Sequence, residues 1–163
     1  MTSAESIEMR VQRLEDERAI QQLIYSYCWG TDGKRKEQWL DIWADDAVLK
    51  FGPAPGTTVG AAMREPIKGR AALERFFDNR PGRDISPKHA TVNSMIAVDG
   101  DRASAESYIV FFFEHDGVPE LVSTGRYFDK FKRCPDGKWR IAERIAHMDT
   151  LKTEFFPGSS RTQ

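Results

Sequence analysis

Histidine is the side chain best suited to move protons near neutral pH, and one histidine of this chain has an informative position. His89 lies in the segment KHATVN, directly after Pro87 and at the opening of a predicted strand. Its unperturbed pKa of about 6.5 would let it act as a general base. A strand histidine alone is more often a structural residue. Its function therefore depends on which other side chains the fold brings to it.

The composition predicts a compact globular chain. The 163 residues suit one domain spanning 1–163, and 40% of them are hydrophobic while 30% are charged. A net charge of -1 gives no electrostatic footprint for nucleic acid. The longest apolar run, residues 109–113, is too short to cross a bilayer. We therefore expect neither a nucleic-acid partner nor a membrane partner.

Cysteine and motif patterns also exclude several classes of site. Cys28 and Cys134 have no zinc-binding spacing, and the first residues, MTSAESIEMRVQRLEDE, show no secretory signal. We interpret both cysteines as reduced thiols and expect a cytoplasmic location. Cys28 lies in an apolar helical pattern without a neighbouring base, which favours a packing role. The histidine and acid spacings predict no metal site, and no glycine-rich phosphate loop is present, so we expect no cofactor.

Hydrophobic periodicity predicts an α+β fold. Apolar spacings of three and four indicate helices at about residues 4–30 and 36–43, and a third helix that opens at Gly69 and Arg70. A short strand at 47–51 is followed later by four strands at about 90–98, 103–114, 121–132 and 138–148, joined by the turns DGD, HDGV and PDGK. The charge run Glu15–Arg18 is expected to face solvent, and the tail at 157–163 to be loose. A curved antiparallel sheet around the helices would enclose a concave pocket.

The strand at 103–114 is apolar on both faces, so both faces must be buried against other parts of the protein or against a partner. Strand alternation places Tyr108, Val110 and Phe112 on one face and Ile109, Phe111 and Phe113 on the other. One face would line the pocket and the other would meet a partner subunit, which predicts a homodimer or homotrimer. Which face is which stays open, and any of these aromatic side chains could serve the core alone. The candidate ligand-binding residues are Trp29, Trp43, Tyr108, Val110 and Phe112.

A set of segments in fixed order carries a family resemblance. These are AIQQLIYSYCWGTDGKRKEQWLDIWADDAVLKF, IKGRAALERFF, KHATVN, VDGDRASAESY, GRYFDKFKR and GKWRIAER. Together they resemble the SnoaL-like branch of the nuclear transport factor 2-like superfamily, over about residues 14–148. Members with similar motifs include scytalone dehydratase, bile-acid 7α-dehydratase and hexachlorocyclohexane dehydrochlorinase. The resemblance implies a cone-shaped α+β barrel, with the sheet wrapped around three N-terminal helices and a deep hydrophobic pocket.

The resemblance also implies a catalytic set that works without a cofactor. The family pairs a histidine at the start of the strand after the third helix with an aspartate that ends the first helix, which implies His89 and Asp32. The aspartate follows a Tyr-x4-Asp spacing, which implies Tyr27, and an arginine late in the last strand implies Arg144. Each residue has a structural alternative: a turn aspartate, a packed histidine, a core tyrosine or an arginine in a salt bridge.

These residues would suit a β-elimination. His89 would remove a proton, Asp32 would fix its tautomer, and Tyr27 and Arg144 would stabilise the oxygen that gains charge or leaves. The expected function is a cofactor-independent lyase, by dehydration or by retro-aldol loss of formaldehyde, on a hydrophobic aromatic or alicyclic small molecule. A double-bond isomerase with the same dyad is one alternative. A non-catalytic small subunit of a ring-hydroxylating dioxygenase, or a small-molecule binding protein, is the other.

Overall fold

The computed structural model describes residues 6–56, 65–79, 87–115 and 117–151, with three helices and six strands among them. The predicted loose tail at 157–163 lies outside the described residues. The helices are α1 (Ile7–Asp32), α2 (Lys36–Asp41) and α3 (Arg70–Asn79). The strands are β1 (Trp43–Phe51), β2 (Ile67–Lys68), β3 (Lys88–Asp99), β4 (Arg102–His115), β5 (Val118–Arg133) and β6 (Trp139–Leu151).

The six strands form one sheet in the order β2-β1-β6-β5-β4-β3. Every neighbouring pair is antiparallel except β1 and β6, which run parallel. The helix α1 contacts both β3 and β6, although two strands separate them in the sheet. The sheet must therefore curve around α1. It stays unclosed, with β2 and β3 at its edges, so the fold is α+β as predicted while the barrel is open.

The core lies between the C-terminal half of α1 and the concave face of the sheet. Ile20, Ile24 and Tyr27 are buried at spacings of four and three, as an amphipathic helix requires. They pack in one cluster with inward residues of α2, β1 and the long strands. No residue of α1 before Ile20 belongs to that cluster. The apolar side chains of Ile7 and Leu14, in this first half of the helix, are exposed.

The hairpin turns of the long strands confirm the sequence prediction. Gly100 has a φ of 57° and Gly137 a φ of 77°, the left-handed region that glycine adopts at little cost. The second helix ends earlier than predicted, at Asp41, and Trp43 already opens β1. The strand therefore starts four residues before its predicted start at 47 and includes Asp45 and Asp46, which are exposed, while Ala44, Ala47 and Leu49 are buried.

The prediction that the charge run Glu15–Arg18 faces solvent is wrong for Asp16. The residue is only 6% exposed. The indole of Trp139 donates to its carboxylate at 2.9 Å, Arg133 at 2.7 Å and Gln12 at 3.1 Å. The Arg133 guanidinium also lies 4.6 Å from the centre of the Trp139 ring. This network ties the middle of α1 to the end of β5 and the start of β6.

We expect Asp16→Asn to lower the free energy of unfolding at neutral pH by about 1.5–3 kcal/mol, the typical value of hydrogen bonds to a charged group. Burial by itself would raise the pKa of Asp16, but the donors on Trp139, Arg133 and Gln12 bring it below its ordinary value of 3.8. Because the pKa is lower in the folded state, the ionised carboxylate stabilises the protein at pH values above 3.8, and this contribution is lost as pH falls through the folded-state pKa.

Urea unfolding at a series of pH values should therefore show that the free energies of unfolding of wild type and variant converge in acid. Glu15→Gln, at an exposed neighbouring position, is the control and should change little. A constant difference down to acid pH would contradict the expectation.

Candidate active site

His89 and Asp32 meet where the end of α1 packs against the start of β3. The Nδ1 atom of His89 lies 2.5 Å from Oδ1 of Asp32. The main-chain N–H of His89 donates to the other carboxylate oxygen, Oδ2, at 2.8 Å. Both side chains are largely shielded, with 16% and 12% of their surface exposed. One carboxylate thus holds both the ring and the backbone of His89.

The hydrogen bond fixes how the imidazole can act. An ionised carboxylate only accepts, so Nδ1 of a neutral His89 carries the proton and Nε2 presents its lone pair. No hydrogen-bond partner of Nε2 lies among the residues that the structure describes. In this tautomer Nε2 is the ring nitrogen that can accept a proton or a hydrogen bond.

The sequence around Asp32 explains why α1 ends there. Gly33 donates its N–H to the carbonyls of Trp29 and Thr31, and Lys34 has a φ of 55°, which turns the chain away. Gly30 lies against α2, where an added Cβ would stand 2.8 Å from the Cβ of Trp39. A glycine at this position lets α2 pack directly on the last turn of α1. The same contact sets the position of Asp32 two residues later.

Aromatic rings surround the imidazole on the inner face of the sheet. The Phe111 ring lies 4.6 Å from the His89 ring, between centroids, at an interplanar angle of 34°. The Tyr27 ring lies 6.4 Å away and nearly perpendicular. Burial raises the pKa of Tyr27, so its phenol stays protonated at neutral pH. The Cys28 thiol contacts the hydroxyl of Thr91, two residues after His89 on β3, at 3.1 Å, and burial raises the pKa of that thiol. Cys28 is therefore a packed thiol.

Arg144 forms an ion pair, which the sequence left open as its structural alternative, and the partner is the buried Asp129. Its Nε and Nη2 donate to the two carboxylate oxygens of Asp129 at 2.7 and 2.6 Å, and neither side chain is exposed. The guanidinium lies 4.1 Å from the ring centres of Tyr27 and Tyr127. Burial alone would lower the pKa of Arg144, but the Asp129 carboxylate outweighs burial and the net direction is upward. Arg144 therefore stays charged inside the core.

Asp129 could have been found from strand alternation. It stands two residues after Tyr127 on β5, so the two side chains share the inner face of the sheet. A carboxylate on an otherwise apolar inner face requires a buried cation, and Arg144 is directly opposite it in the β5–β6 register.

Three buried N–H groups have no hydrogen-bond partner among the described residues. They are Nη1 of Arg144 and the indole nitrogens of Trp39 and Trp43. The two tryptophan rings lie 5.2 Å apart, and each lies 6.0 Å from the Tyr27 ring. The predicted ligand-binding residue Trp43 thus belongs to the aromatic cluster around Tyr27.

The other predicted ligand-binding residues lie elsewhere. Strand register places Tyr108, Val110 and Phe112 opposite Val92, Ala90 and Lys88, on the outer face of the sheet. His89 pairs with Phe111 and shares the inner face with it. The inner wall is therefore built by the alternate residues Ile109, Phe111 and Phe113, which are buried, while Tyr108 is 54% exposed.

Trp29 is 62% exposed, on the side of α1 away from the buried core positions. The Arg35 guanidinium lies 5.6 Å from the centre of its ring. The helix turns Trp29 outward because its neighbours Tyr27, Cys28 and Thr31 occupy the inner face.

An open groove of about 560 Å³ lies on the outer face of the sheet, and Asp129, whose side chain is turned inward to Arg144, also borders it. Its lining includes Met95, Phe128 and Ile145 together with Lys50, Lys130 and Glu143, and none of the four candidate catalytic residues borders it. Within the described ranges, no cluster of three or more His, Cys, Asp or Glu side chains could hold a metal ion. Among the helices described, none has the length and apolarity needed to span a membrane.

Known proteins with similar sequences fall into two groups. An uncharacterized protein of Mycobacterium tuberculosis is 28% identical over 142 residues, which cover 84% of this chain and 88% of that protein. The beta 1 subunit of the terminal oxygenase component of terephthalate 1,2-dioxygenase from a Comamonas species is 27% identical over 140 residues. That alignment covers 79% of this chain and 88% of the subunit.

Solved structures share the fold over most of their length. An NTF2-like protein with a cystatin-like fold from Novosphingobium aromaticivorans superposes with a TM-score of 0.76 at 23% identity, covering 93% of this chain and 96% of that one. Hexachlorocyclohexane dehydrochlorinase from Novosphingobium barchaimii superposes with a TM-score of 0.70 at 19% identity, covering 88% and 92%. The sequence profile of the SnoaL-like domain matches residues 12–145. With that match over most of its length, the chain is a member of the SnoaL-like domain family.

Proposed function

We propose that the protein is a cofactor-independent lyase that acts on a hydrophobic aromatic or alicyclic small molecule. The observation that supports this most directly is the imidazole of His89, held by Asp32 with Nε2 as its accepting nitrogen, beside a buried aromatic cluster. The fold is shared with a hexachlorocyclohexane dehydrochlorinase, an elimination enzyme by its name. The same fold can therefore accommodate elimination chemistry.

In the proposed dehydration, Nε2 of His89 removes a proton from the carbon next to an activating group. The C–H electron pair forms the new double bond, the bond to the β-hydroxyl breaks, and that oxygen leaves as water after it takes the proton from the imidazolium of His89. Asp32 stabilises the imidazolium formed on the way. Tyr27, protonated because burial raises its pKa, and Arg144 stabilise the oxygen that gains charge.

The same base would support two related reactions. If His89 removes a hydroxyl proton, the carbon–carbon bond breaks, formaldehyde leaves, and the C–C electron pair forms an enolate. The enolate then takes the proton from the imidazolium of His89, which completes the retro-aldol step. Return of the abstracted proton to a different carbon would shift a double bond, as in an isomerase. The three reactions differ in product mass: loss of water, loss of formaldehyde or no change.

A panel of small ring compounds tests the lyase directly. We would incubate the protein with a cyclic β-hydroxy ketone, a cyclic α-hydroxymethyl ketone and a β,γ-unsaturated cyclic ketone, and identify products by mass spectrometry. Loss of water or formaldehyde supports the lyase, and rearrangement without mass change supports the isomerase. No enzyme-dependent product from any compound would contradict both.

A non-catalytic subunit is the second candidate, and the sequence relatives favour it. The Comamonas relative is the beta subunit of a terminal oxygenase component. Under this alternative, the protein should co-purify from its native host with a larger iron-containing partner. Under the lyase proposal it should purify as a homo-oligomer with its outer face covered by a second copy. Light scattering and metal analysis of the purified material separate the two.

A further inference from the structure

The three buried N–H groups without a hydrogen-bond partner belong to residues that pack around Tyr27, and each needs an acceptor. Burying an N–H without a hydrogen bond costs about 1–3 kcal/mol, so such groups in folded proteins normally meet a ligand or an ordered water. Arg144 Nη1 and the indole N–H groups of Trp39 and Trp43 are all donors, and none of them can accept. Whatever completes this cluster must therefore present acceptor atoms.

The charge balance restricts what that acceptor can be. Asp129 neutralises Arg144 through two hydrogen bonds, so the buried pair carries no net charge. A carboxylate on the ligand would leave one uncompensated negative charge inside an aromatic core, and Asp32 already brings another carboxylate nearby. An uncharged carbonyl oxygen, which can accept two hydrogen bonds, would satisfy Arg144 Nη1 without burying net charge.

We propose that Asp129 determines the charge of the ligand: by neutralising Arg144 it leaves donors that bind an uncharged carbonyl oxygen and disfavour a carboxylate on the same ring. The proposal rests on the proposed function only in placing the ligand of that site next to Tyr27. Asp129 acts through Arg144 and is a positioning residue. Its removal should change which ligands bind, beyond any change in stability.

Binding to the wild-type protein gives the first test. We would measure the affinities of 1-indanone, indane and indane-1-carboxylate by the quenching of tryptophan fluorescence, with cyclohexanone, cyclohexane and cyclohexanecarboxylate as a smaller series. The ketone should bind about tenfold more tightly than both its hydrocarbon and its carboxylate, the effect of one buried hydrogen bond to a charged donor. Equal binding of ketone and hydrocarbon in both series would mean that water satisfies the donors. That result, tighter binding of the carboxylate, or no binding at all would overturn the proposal.

Substitution of Asp129 gives the second test. Asp129→Asn keeps the shape of the side chain but leaves the Arg144 charge uncompensated, so the preference should reverse and the carboxylate should bind more tightly than the ketone. Because an unpaired buried charge can prevent folding, the double variant Asp129→Leu with Arg144→Met is measured in parallel. It removes both charges and one of the three donors, the charged one, so its preference for ketone over hydrocarbon should become clearly smaller than that of the wild type. An unchanged ketone preference in the double variant would overturn the proposal.

His89→Ala separates this inference from the proposed lyase activity. The imidazole is not one of the three donors, so the variant should keep the ketone preference of the wild type. A protein that prefers ketones but turns over no compound of the panel would end the lyase proposal and leave this one standing. A protein that turns over a compound of the panel but binds carboxylates more tightly than ketones would support the lyase proposal and overturn this one.

Discussion

His89→Ala is expected to lower kcat by about 10²- to 10⁴-fold on whichever compound the wild-type protein converts, the range of a lost general base. Its KM should change little, because the imidazole acts on the proton being transferred more than on binding. The fold should persist, since the Asp32 carboxylate keeps its hydrogen bond from the main-chain N–H of residue 89. Steady-state kinetics and circular dichroism measure the two effects.

Two further variants make this prediction specific to the dyad. Asp32→Asn replaces the fixed acceptor of Nδ1 by an amide that can rotate and donate, so His89 loses its enforced tautomer and kcat should again fall by orders of magnitude. His147→Gln is the matched control, because that imidazole contacts the carbonyl of Gly52 and lies outside the site. It should retain wild-type turnover. Equal activity of wild type, His89→Ala and Asp32→Asn would remove the dyad from the mechanism.

Asp129→Ala should have the largest effect on stability, a loss of about 3–5 kcal/mol in the free energy of unfolding, because it leaves the Arg144 charge buried without a partner. Urea denaturation followed by tryptophan fluorescence measures this loss.

Two comparisons show whether burial is the cause. Asp136 forms a similar two-pronged pair with Arg140 at 2.9 and 2.7 Å, but on an exposed turn, so Asp136→Ala should cost far less. The double variant Asp129→Leu with Arg144→Met should recover most of the stability, because apolar side chains can replace a buried pair. An equal loss at Asp129 and Asp136 would contradict the role of burial.

Local patterns were sufficient to predict the three helices and the five longer strands, but not the two-residue strand β2. The hairpin turns of the meander need glycine in the left-handed region, and Gly100 and Gly137 adopt it as expected. The start of β3 lies within two residues of its predicted position, because Pro87 marks it. Apolar spacing also identified α1, although its exposed first half shows that spacing alone does not tell which part of a helix is covered.

Tertiary contacts decided what the sequence could not. Alternation divided β4 into two apolar faces but could not say that Phe111 faces His89 while Phe112 faces outward. Asp16 looked like an ordinary charged residue, because its partners Trp139 and Arg133 are distant in sequence. Alternation could have placed Asp129 on the inner face, but it does not show that Arg144 is its partner.

The double attachment of Asp32 has a consequence for how this site could change over evolutionary time. One carboxylate oxygen is held by the main chain of residue 89, a bond that any amino acid except proline could make. The acid therefore stays in place whichever side chain occupies that position. A substitution that places another proton-carrying side chain at position 89 would find the Asp32 carboxylate already in position. The reactive group could therefore change while the rest of the site stays the same.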